Sequence, residues 1–310
     1  MSSILTFTSV VLLAGGALAG SSAEVEGLLH AEEAYREAIA AARAVDPAGA
    51  LLARSLNELA CLYNDLRRPR QAEPLLEEAV KLLRRGPSSS GVLATVINNL
   101  AESLRYQDRL AEAAALYREA LAAADSEALR GVILENLANL HAARGQWPAA
   151  ERLLRRAVAA HRQAPEAGRV TLGRTLGALG AALVRQGRPT EAMACYREAI
   201  AIGDDALGAE HPTNASLRNE LALLYRHEGR FAQARALHEQ ALAGFIRSFG
   251  PRHALVGIAW NNLAMVYEGE RRFAEAAELL RRSLSILDAG EEATPVVHAN
   301  YERLRRRLPP

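Results

Sequence analysis

The sequence predicts an all-α protein, a solenoid built from helix-turn-helix repeats, and three observations support this prediction. A similar segment recurs six times along the 310-residue chain, as in "RNELALLYRHEGRFAQARALHEQAL" from Arg218 and "WNNLAMVYEGERRFAEAAELLRRSL" from Trp260. Small residues return at the same offsets in every copy. Alanine and leucine dominate the composition while aromatic residues make up only 5%, which suits close helix packing better than a β-sandwich.

The repeats share one register, numbered here from the leucine of each "NLA"-like triplet as position 0. These anchor leucines are Leu59, Leu100, Leu137, Leu179, Leu221 and Leu263, so the steps between repeats are 41, 37, 42, 42 and 42 residues. Position +1 is always Ala or Gly, position +13 is always Ala, and position +20 is Ala or Ser. Large apolar residues lie between these small ones. The small residues let two helices approach closely, and the large residues fill the groove between them.

Each repeat is therefore predicted to contain two amphipathic helices. Turn segments such as "RQGRP" (185–189) and "HEGRF" (227–231) separate the two helices. One helix hairpin cannot bury both of its apolar faces, so neighbouring hairpins must stack. Two irregularities stand out. The step from the second to the third repeat is the shortest, which should alter the superhelical turn there, and the fourth repeat, "GRTLGALGAAL", lacks the asparagines of the others.

The order leucine, small residue, tyrosine, glycine, aromatic residue and two alanines resembles the tetratricopeptide repeat family, as "NELALLY…EGRFAQA" shows over residues 219–234. The resemblance covers roughly residues 24–300. The usual period of that family is about 34 residues, and the longer period here is similar to the kinesin-light-chain type, with its "LG-x-x-HP" junction. "LGAEHP" (207–212) and "FGPRHA" (249–254) fit that junction. The resemblance implies a right-handed α-solenoid whose first helices line a concave surface that grips a peptide. HEAT or armadillo repeats of about 40–47 residues are the alternative, but they do not explain the small residues at these offsets.

We divide the chain into four parts on this basis. They are a signal peptide (1–19), an N-terminal half-repeat or capping helix (20–50), six repeats (51–290) and a C-terminal capping helix (291–310). The arginines of the last part, which contains "NYERLRRRLPP", are expected to be exposed to solvent. A basic binding patch is the alternative for that end.

The N-terminal segment permits three interpretations. Residues 1–20 contain no charged side chain and include Ala17-Leu18-Ala19, an A-x-A pattern typical of a secretory signal peptide. We therefore predict an exported protein, periplasmic or secreted. In the second interpretation the segment is kept as a membrane anchor. In the third it folds as a half-repeat in the cytoplasm, because residues 31–40 align with residues 192–201, and the missing first helix would have to include Leu18.

The sequence contains no pattern that indicates catalysis, a metal site or a cofactor, and we predict that the protein is not an enzyme. The only lysine, Lys81, lacks the neighbours of a phosphate-binding loop. "HEQAL" from His238 lacks the second histidine of a zinc-binding HExxH helix. His211 and His253 lie at equivalent junctions, where a structural role is expected. No small-molecule substrate is therefore predicted.

The net charge and the positions of the cysteines indicate which partners and cross-links are not expected. The chain has 37 Lys and Arg against 36 Asp and Glu, a net charge of +1. It therefore lacks the basic excess of a nucleic-acid-binding protein, and no nucleic acid is expected as a partner. Cys61 and Cys195 lie three repeats apart, so a disulfide between them is not expected. A membrane is a partner only if the N-terminal segment is retained.

Asparagines repeat just before the anchors, at positions −2 and −1. A side-chain amide both donates and accepts hydrogen bonds, so a ladder of amides could hold a peptide main chain whatever its side chains. Charged residues about one turn away would then select ligand side chains. The candidate groove residues are Asn57, Asn98, Asn99, Glu102, Arg105, Asn136, Asn139, Asn219, Arg226, Asn261 and Asn262. In the alternative hypothesis, the asparagines only bond neighbouring helices to each other.

The function that these observations favour is a non-enzymatic scaffold that binds a peptide or protein in a groove. Two other functions stay open. The chain could be a structural spacer in a cell-envelope complex, or a cytoplasmic peptide-sensing regulator if it is not exported. The sequence does not identify the protein partner.

Overall fold

The computed structural model describes residues 22–45, 49–86, 90–164, 168–287 and 294–307, with side chains from residue 30 onward. The chain divides into two compact units, residues 1–167 and 168–310. Its described residues form fourteen α-helices and no β-strand. The prediction of an all-α repeat architecture is therefore confirmed. The predicted signal peptide lies outside the described residues.

The first unit contains seven helices. They are α1 (Ser22–Val45), α2 (Ala50–Asp65), α3 (Pro69–Arg85), α4 (Ser90–Tyr106), α5 (Leu110–Ala123), α6 (Glu127–Ala143) and α7 (Trp147–Gln163). The pairs α2–α3, α4–α5 and α6–α7 form the helix hairpins of repeats one to three. The second helices α3 and α5 also pack on the first helices of the next repeats, α4 and α6. The first helices α2, α4 and α6 contact one another in turn.

The second unit has the same construction. Its helices are α8 (Arg169–Arg185), α9 (Pro189–Leu207), α10 (Pro212–His227), α11 (Phe231–Phe249), α12 (Ala254–Gly269), α13 (Phe273–Ile286) and α14 (Thr294–Arg305). The hairpins α8–α9, α10–α11 and α12–α13 are repeats four to six, and α14 packs on α13. Buried Val297 and Leu304 hold α14 in place, while Arg303 and Arg305 lie exposed.

The small positions of the register lie at the contacts between paired helices. At position +13 the six alanines, from Ala72 in α3 to Ala276 in α13, are all fully buried. The +1 residue of the fourth repeat is Gly180, and a Cβ there would lie 2.8 Å from the ring of Tyr196. Tyr196 therefore packs directly on Gly180, and an alanine there would require the ring to shift.

The turn inside every repeat uses one left-handed residue at position +8. The first, second and sixth repeats place Arg67 (φ 57°), Asp108 (φ 62°) and Arg271 (φ 65°) there, and the third, fourth and fifth place glycines. A left-handed residue costs little for glycine and about 1 kcal/mol or more for other residues. Tertiary packing therefore imposes the same turn even where the sequence has no glycine.

Helix α1 makes the contacts of a second helix. Arg36 of α1 donates a hydrogen bond of 3.2 Å to the Tyr63 hydroxyl, just as Arg197 of α9 donates one of 2.7 Å to Tyr225. However, Ala38 of α1 is exposed, whereas the equivalent residues at position +20 of the six repeats are all buried. Within the described part of the chain, no first helix covers this face of α1. The first helix considered for it would include Leu18, which lies outside the described residues.

The junctions before α10 and α12 are held by histidines. The Nδ1 of His211 accepts a hydrogen bond of 3.3 Å from the backbone N–H of Thr213, and that of His253 accepts one of 3.2 Å from Leu255. Such a cap satisfies a free N–H of the first helical turn. The expected structural role of these two histidines is confirmed. None of the described helices is long and apolar enough to cross a membrane.

Candidate functional site

The candidate groove residues all lie on one face of the first helices. It is formed by positions −2, −1, +2 and +5, which recur at the spacing of one helix face. On α4 these are Asn98, Asn99, Glu102 and Arg105, of which only Asn98 is buried. We call this stripe the inner face of the helix.

In the first unit, the amides of the inner face form a continuous chain of hydrogen bonds. Asn136 of α6 donates a 3.0 Å bond to the Oδ1 of Asn98 on α4. Asn98 donates to Asn99 over 3.3 Å, and Asn99 donates a 2.8 Å bond to Asn57 on α2. The chain therefore links the three first helices of this unit. The shorter step between repeats two and three does not interrupt it.

The second unit repeats the arrangement with different helices. Asn300 of α14 donates a 2.9 Å bond to Asn261 of α12, and Asn261 donates to Asn262 over 3.3 Å. Asn262 then donates a 3.0 Å bond to Asn219 of α10. Sequence reasoning missed Asn300, although it stands 38 residues after Asn262, a spacing close to the repeat length, in a segment interpreted only as a cap.

The structure thus shows the asparagines bonding neighbouring helices to each other, which was one of the two hypotheses. Asn98 is 5% exposed and Asn219 is fully buried, whereas the other members of the chain are half-buried. Some hydrogen-bonding groups of these amides have no partner in the part of the chain that the structure describes. The Nδ2 group of Asn219 has no hydrogen-bond partner among the described residues. Asn139, at position +2 of α6, is exposed.

The fourth repeat lacks these amides, as the sequence indicated. Gly177 and Ala178 occupy positions −2 and −1 of α8, and Leu217 packs so closely that a Cβ on Gly177 would lie 2.7 Å from it. In the other repeats, the residue at position −1 bonds the amide at position −2 of the preceding repeat. At position −1 of α10 this residue is Glu220. Its Oε1 is buried without a hydrogen-bond partner among the described residues. Burial raises the pKa of this carboxyl to about 7, because a charged group is poorly solvated there.

Glu102 and Arg105, the two charged residues predicted to select ligand side chains, lie next to each other. The carboxylate of Glu102 accepts a 3.1 Å hydrogen bond from the Tyr106 hydroxyl and a 3.5 Å bond from Arg105. The guanidinium of Arg105 also lies 4.4 Å from the centre of the Tyr106 ring, a cation–π distance. The charges of this cluster are therefore already balanced in the free protein.

Arg226 is the equivalent residue of the second unit, at position +5 of α10. It is half-buried, next to His238, which is 0% exposed. Burial, and then the charge of Arg226, lower the pKa of His238 to about 3. The imidazole is therefore neutral at ordinary pH. Both of its ring nitrogens lack hydrogen-bond partners among the described residues.

The described residues contain no group of three or more His, Cys, Asp or Glu side chains that could hold a metal ion. Cys61 and Cys195 are free thiols. Burial, followed by the charges of nearby carboxylates, raises the pKa of Cys61 to about 11, so its thiolate is scarce at neutral pH and the thiol is a weak nucleophile. Asn214, the first residue of an Asn-Ala-Ser glycosylation pattern, is buried and donates to Asp204 and to the Gly208 carbonyl.

Sequence profiles described as "Tetratricopeptide repeat" match the chain in both units. One profile matches residues 129–205 and 213–289, and a second matches residues 52–85 and 93–124. Their boundaries follow the helix hairpins described above. No curated protein sequence matches the chain.

Solved structures of repeat proteins resemble the chain. The apo form of RapI has a TM-score of 0.71 at 13% identity, covering 92% of this chain and 81% of that one. BtubC (BKLC) from P. vanneervenii has a TM-score of 0.63 at 24% identity, covering 71% and 89%. The pilF protein of Pseudomonas aeruginosa has a TM-score of 0.58 at 20% identity, covering 80% and 97%. At these identities the likeness concerns the fold.

Proposed function

Because this chain belongs to the tetratricopeptide repeat family, we propose that it is a non-enzymatic scaffold whose inner face binds a peptide segment of another protein. A repeat fold by itself does not define a function. The proposal therefore depends on the side chains that the first helices present. The observation that carries it is the array of amides along the inner face in both units.

The amides hold one another in position, which prepares them for a ligand. A side-chain amide has two N–H donors and an oxygen with two lone pairs. Each bond between neighbouring helices uses only one donor and one acceptor site, as in Asn262. The remaining groups are fixed in direction, so little conformational entropy is lost when a peptide main chain binds to them.

Buried polar groups without partners support a ligand on this face. The Nδ2 of Asn219 and the Nε of Arg226 have no hydrogen-bond partner among the described residues. Leaving such a group unsatisfied costs about 1–3 kcal/mol. A ligand that supplies an acceptor to the half-buried guanidinium of Arg226 would recover part of this free energy, whereas Asn219 is fully buried.

The proposal includes export of the mature chain. It is supported by the uncharged apolar run of residues 1–19 and its terminal A-x-A pattern. In that case the partner is an extracytoplasmic protein or peptide.

Binding is tested with the purified chain on an array of random 12-residue peptides with blocked ends. Two variants place an arginine at position +2 of the inner face, Asn139→Arg in the first unit and Leu223→Arg in the second. A matched control, Ala236→Arg, places the same side chain at an exposed position of α11. We expect at least one inner-face variant to weaken binding about tenfold or more, while the control binds as the unmodified chain does and all melt alike. Absence of peptide binding, or equal binding by all variants, would contradict the proposal.

A further inference from the structure

Two arginines occupy the same register position but differ in their surroundings. Arg105 and Arg226 stand at position +5 of α4 and α10, and each is half-buried. Arg105 has Glu102 at 3.5 Å and the Tyr106 ring at 4.4 Å. Arg226 makes no hydrogen bond, ion pair or ring contact with any other residue that the structure describes, and its Nε is shielded from solvent.

The difference follows from the residues around each arginine. Glu102 stands three residues before Arg105, whereas Leu223 stands three residues before Arg226. The position of Tyr106 is taken by the exposed His227. The helix of the second unit therefore offers no carboxylate to its arginine.

The neighbouring helices do not offer a free carboxylate either. Glu268 of α12 influences Arg226 from a distance, but it is already occupied. It lies 2.7 Å from the Nη2 of Arg303 and 3.4 Å from the Nη1 of Arg307. The inner face here has three guanidinium groups and two carboxyl groups, Glu268 and Glu220. Burial raises the pKa of Glu220 to about 7, so the face carries an excess of positive charge.

A half-buried cation without a partner is costly, since its hydration is lost and not replaced. Burial lowers the pKa of Arg226, but a guanidinium still keeps its proton at neutral pH. Its fork of N–H donors matches a carboxylate in two parallel hydrogen bonds. The missing partner at this position is therefore an anion.

We propose that Arg226 binds the carboxylate of an aspartate or glutamate side chain in the ligand. This inference rests on the proposed function and specifies its ligand as an acidic peptide. The guanidinium of Arg226 is half-buried and can be reached by a ligand, whereas Asn219 on the same helix is fully buried and bonds Asn262.

The experiment uses the peptides selected by the full chain on the blocked array, where no free C-terminal carboxylate is present. In each peptide, every Asp is changed to Asn and every Glu to Gln, one at a time, and affinities are measured by calorimetry. We expect one acidic position whose neutralisation weakens binding about tenfold or more. That loss should disappear in Arg226→Gln and persist in Arg105→Gln, the register-matched control.

The possible results separate this inference from the proposed function. Binding of peptides in which no acidic position matters, or an equal loss in Arg226→Gln and the unmodified chain, would overturn the inference alone. No binding of any peptide would overturn both. A folding defect is tested independently, because removing an unpaired charge should leave the melting temperature of Arg226→Gln equal to or above that of the unmodified chain. A markedly lower melting temperature would show that Arg226 has a structural partner and would also overturn the inference.

Discussion

The side-chain amide of Asn262 donates a 3.0 Å hydrogen bond to Asn219, one repeat earlier. Asn219 is fully buried, and the bond joins α10 to α12 on the inner face of the second unit. The same residues that are candidates for peptide binding therefore also join neighbouring repeats. Binding and stability must be measured separately for this reason.

Replacing Asn219 with Ala should destabilise the protein by about 1–3 kcal/mol, because the Nδ2 of Asn262 loses its buried acceptor. Asn139→Ala is the matched control. Asn139 is exposed, so its replacement should change the free energy of unfolding by about 0.5 kcal/mol or less. Urea melts of both variants measure the effect. Equal stability of the two variants would show that the amide hydrogen bond does not join the repeats. A lower stability of Asn219→Ala with unchanged peptide binding would assign Asn219 a structural role only.

Replacing Ala234 with Leu should destabilise by about 1–3 kcal/mol, since a larger side chain at this contact forces α10 and α11 apart. Ala234 is fully buried, whereas Ala236, two residues later, is exposed. Ala236→Leu makes the same chemical change at the surface and should leave the free energy of unfolding nearly unchanged. Arg235 is a poorer control because it forms an ion pair of 3.0 Å with Glu270. Similar urea midpoints for the two Leu variants would refute the assigned helix faces.

Replacing His238 with Leu should reduce the sensitivity of the protein to acid. The folded pKa of His238 is about 3, below the ordinary value of about 6.5, so the unfolded chain takes up a proton first as the pH falls. Because of this histidine, the free energy of unfolding of the protein falls by up to about 1.4 kcal/mol for each pH unit below about 6.5. Leucine is the natural substitute, because Leu76, Leu154 and Leu280 occupy this position in other repeats.

The measurement for His238 is the difference between variant and unmodified chain in urea melts at pH 7.5, 6 and 5. This difference should grow as the pH falls. Glu220 has a pKa of about 7 and acts in the opposite direction, because its carboxyl gains a proton first in the folded state. Its contribution to stability therefore rises as the pH falls from about 7. Glu220 is present in both proteins, so its contribution cancels in the difference. A difference that stays constant with pH would show that His238 is hydrated or bonded.

The mature chain is predicted to begin near Gly20, because the apolar run and the A-x-A pattern occur in the order of a secretory leader. Intact-mass measurement of protein from the native cell decides this. A chain that retains residues 4–19 would refute cleavage and favour a membrane anchor or a folded half-repeat instead.

The sequence by itself determined the repeat register and, through it, the fold. Ala72 and its five equivalents are buried at the same contact, because stacking one unit repeatedly requires the same close approach each time. Gly177 and Ala178 likewise indicated that the amide array is interrupted in the fourth repeat. These features are local, and each can be read within one repeat.

Only the tertiary structure decided which polar groups are satisfied. The bonds of Asn99 and Asn262 reach residues about one repeat away, and Asn300 belongs to the array although it lies on the terminal helix α14. Arg105 and Arg226 have the same register position, yet one is paired and the other is not. The pairing of a side chain depends on distances to residues from other helices, and a repeat pattern fixes the position of each residue but not the identity of its neighbours.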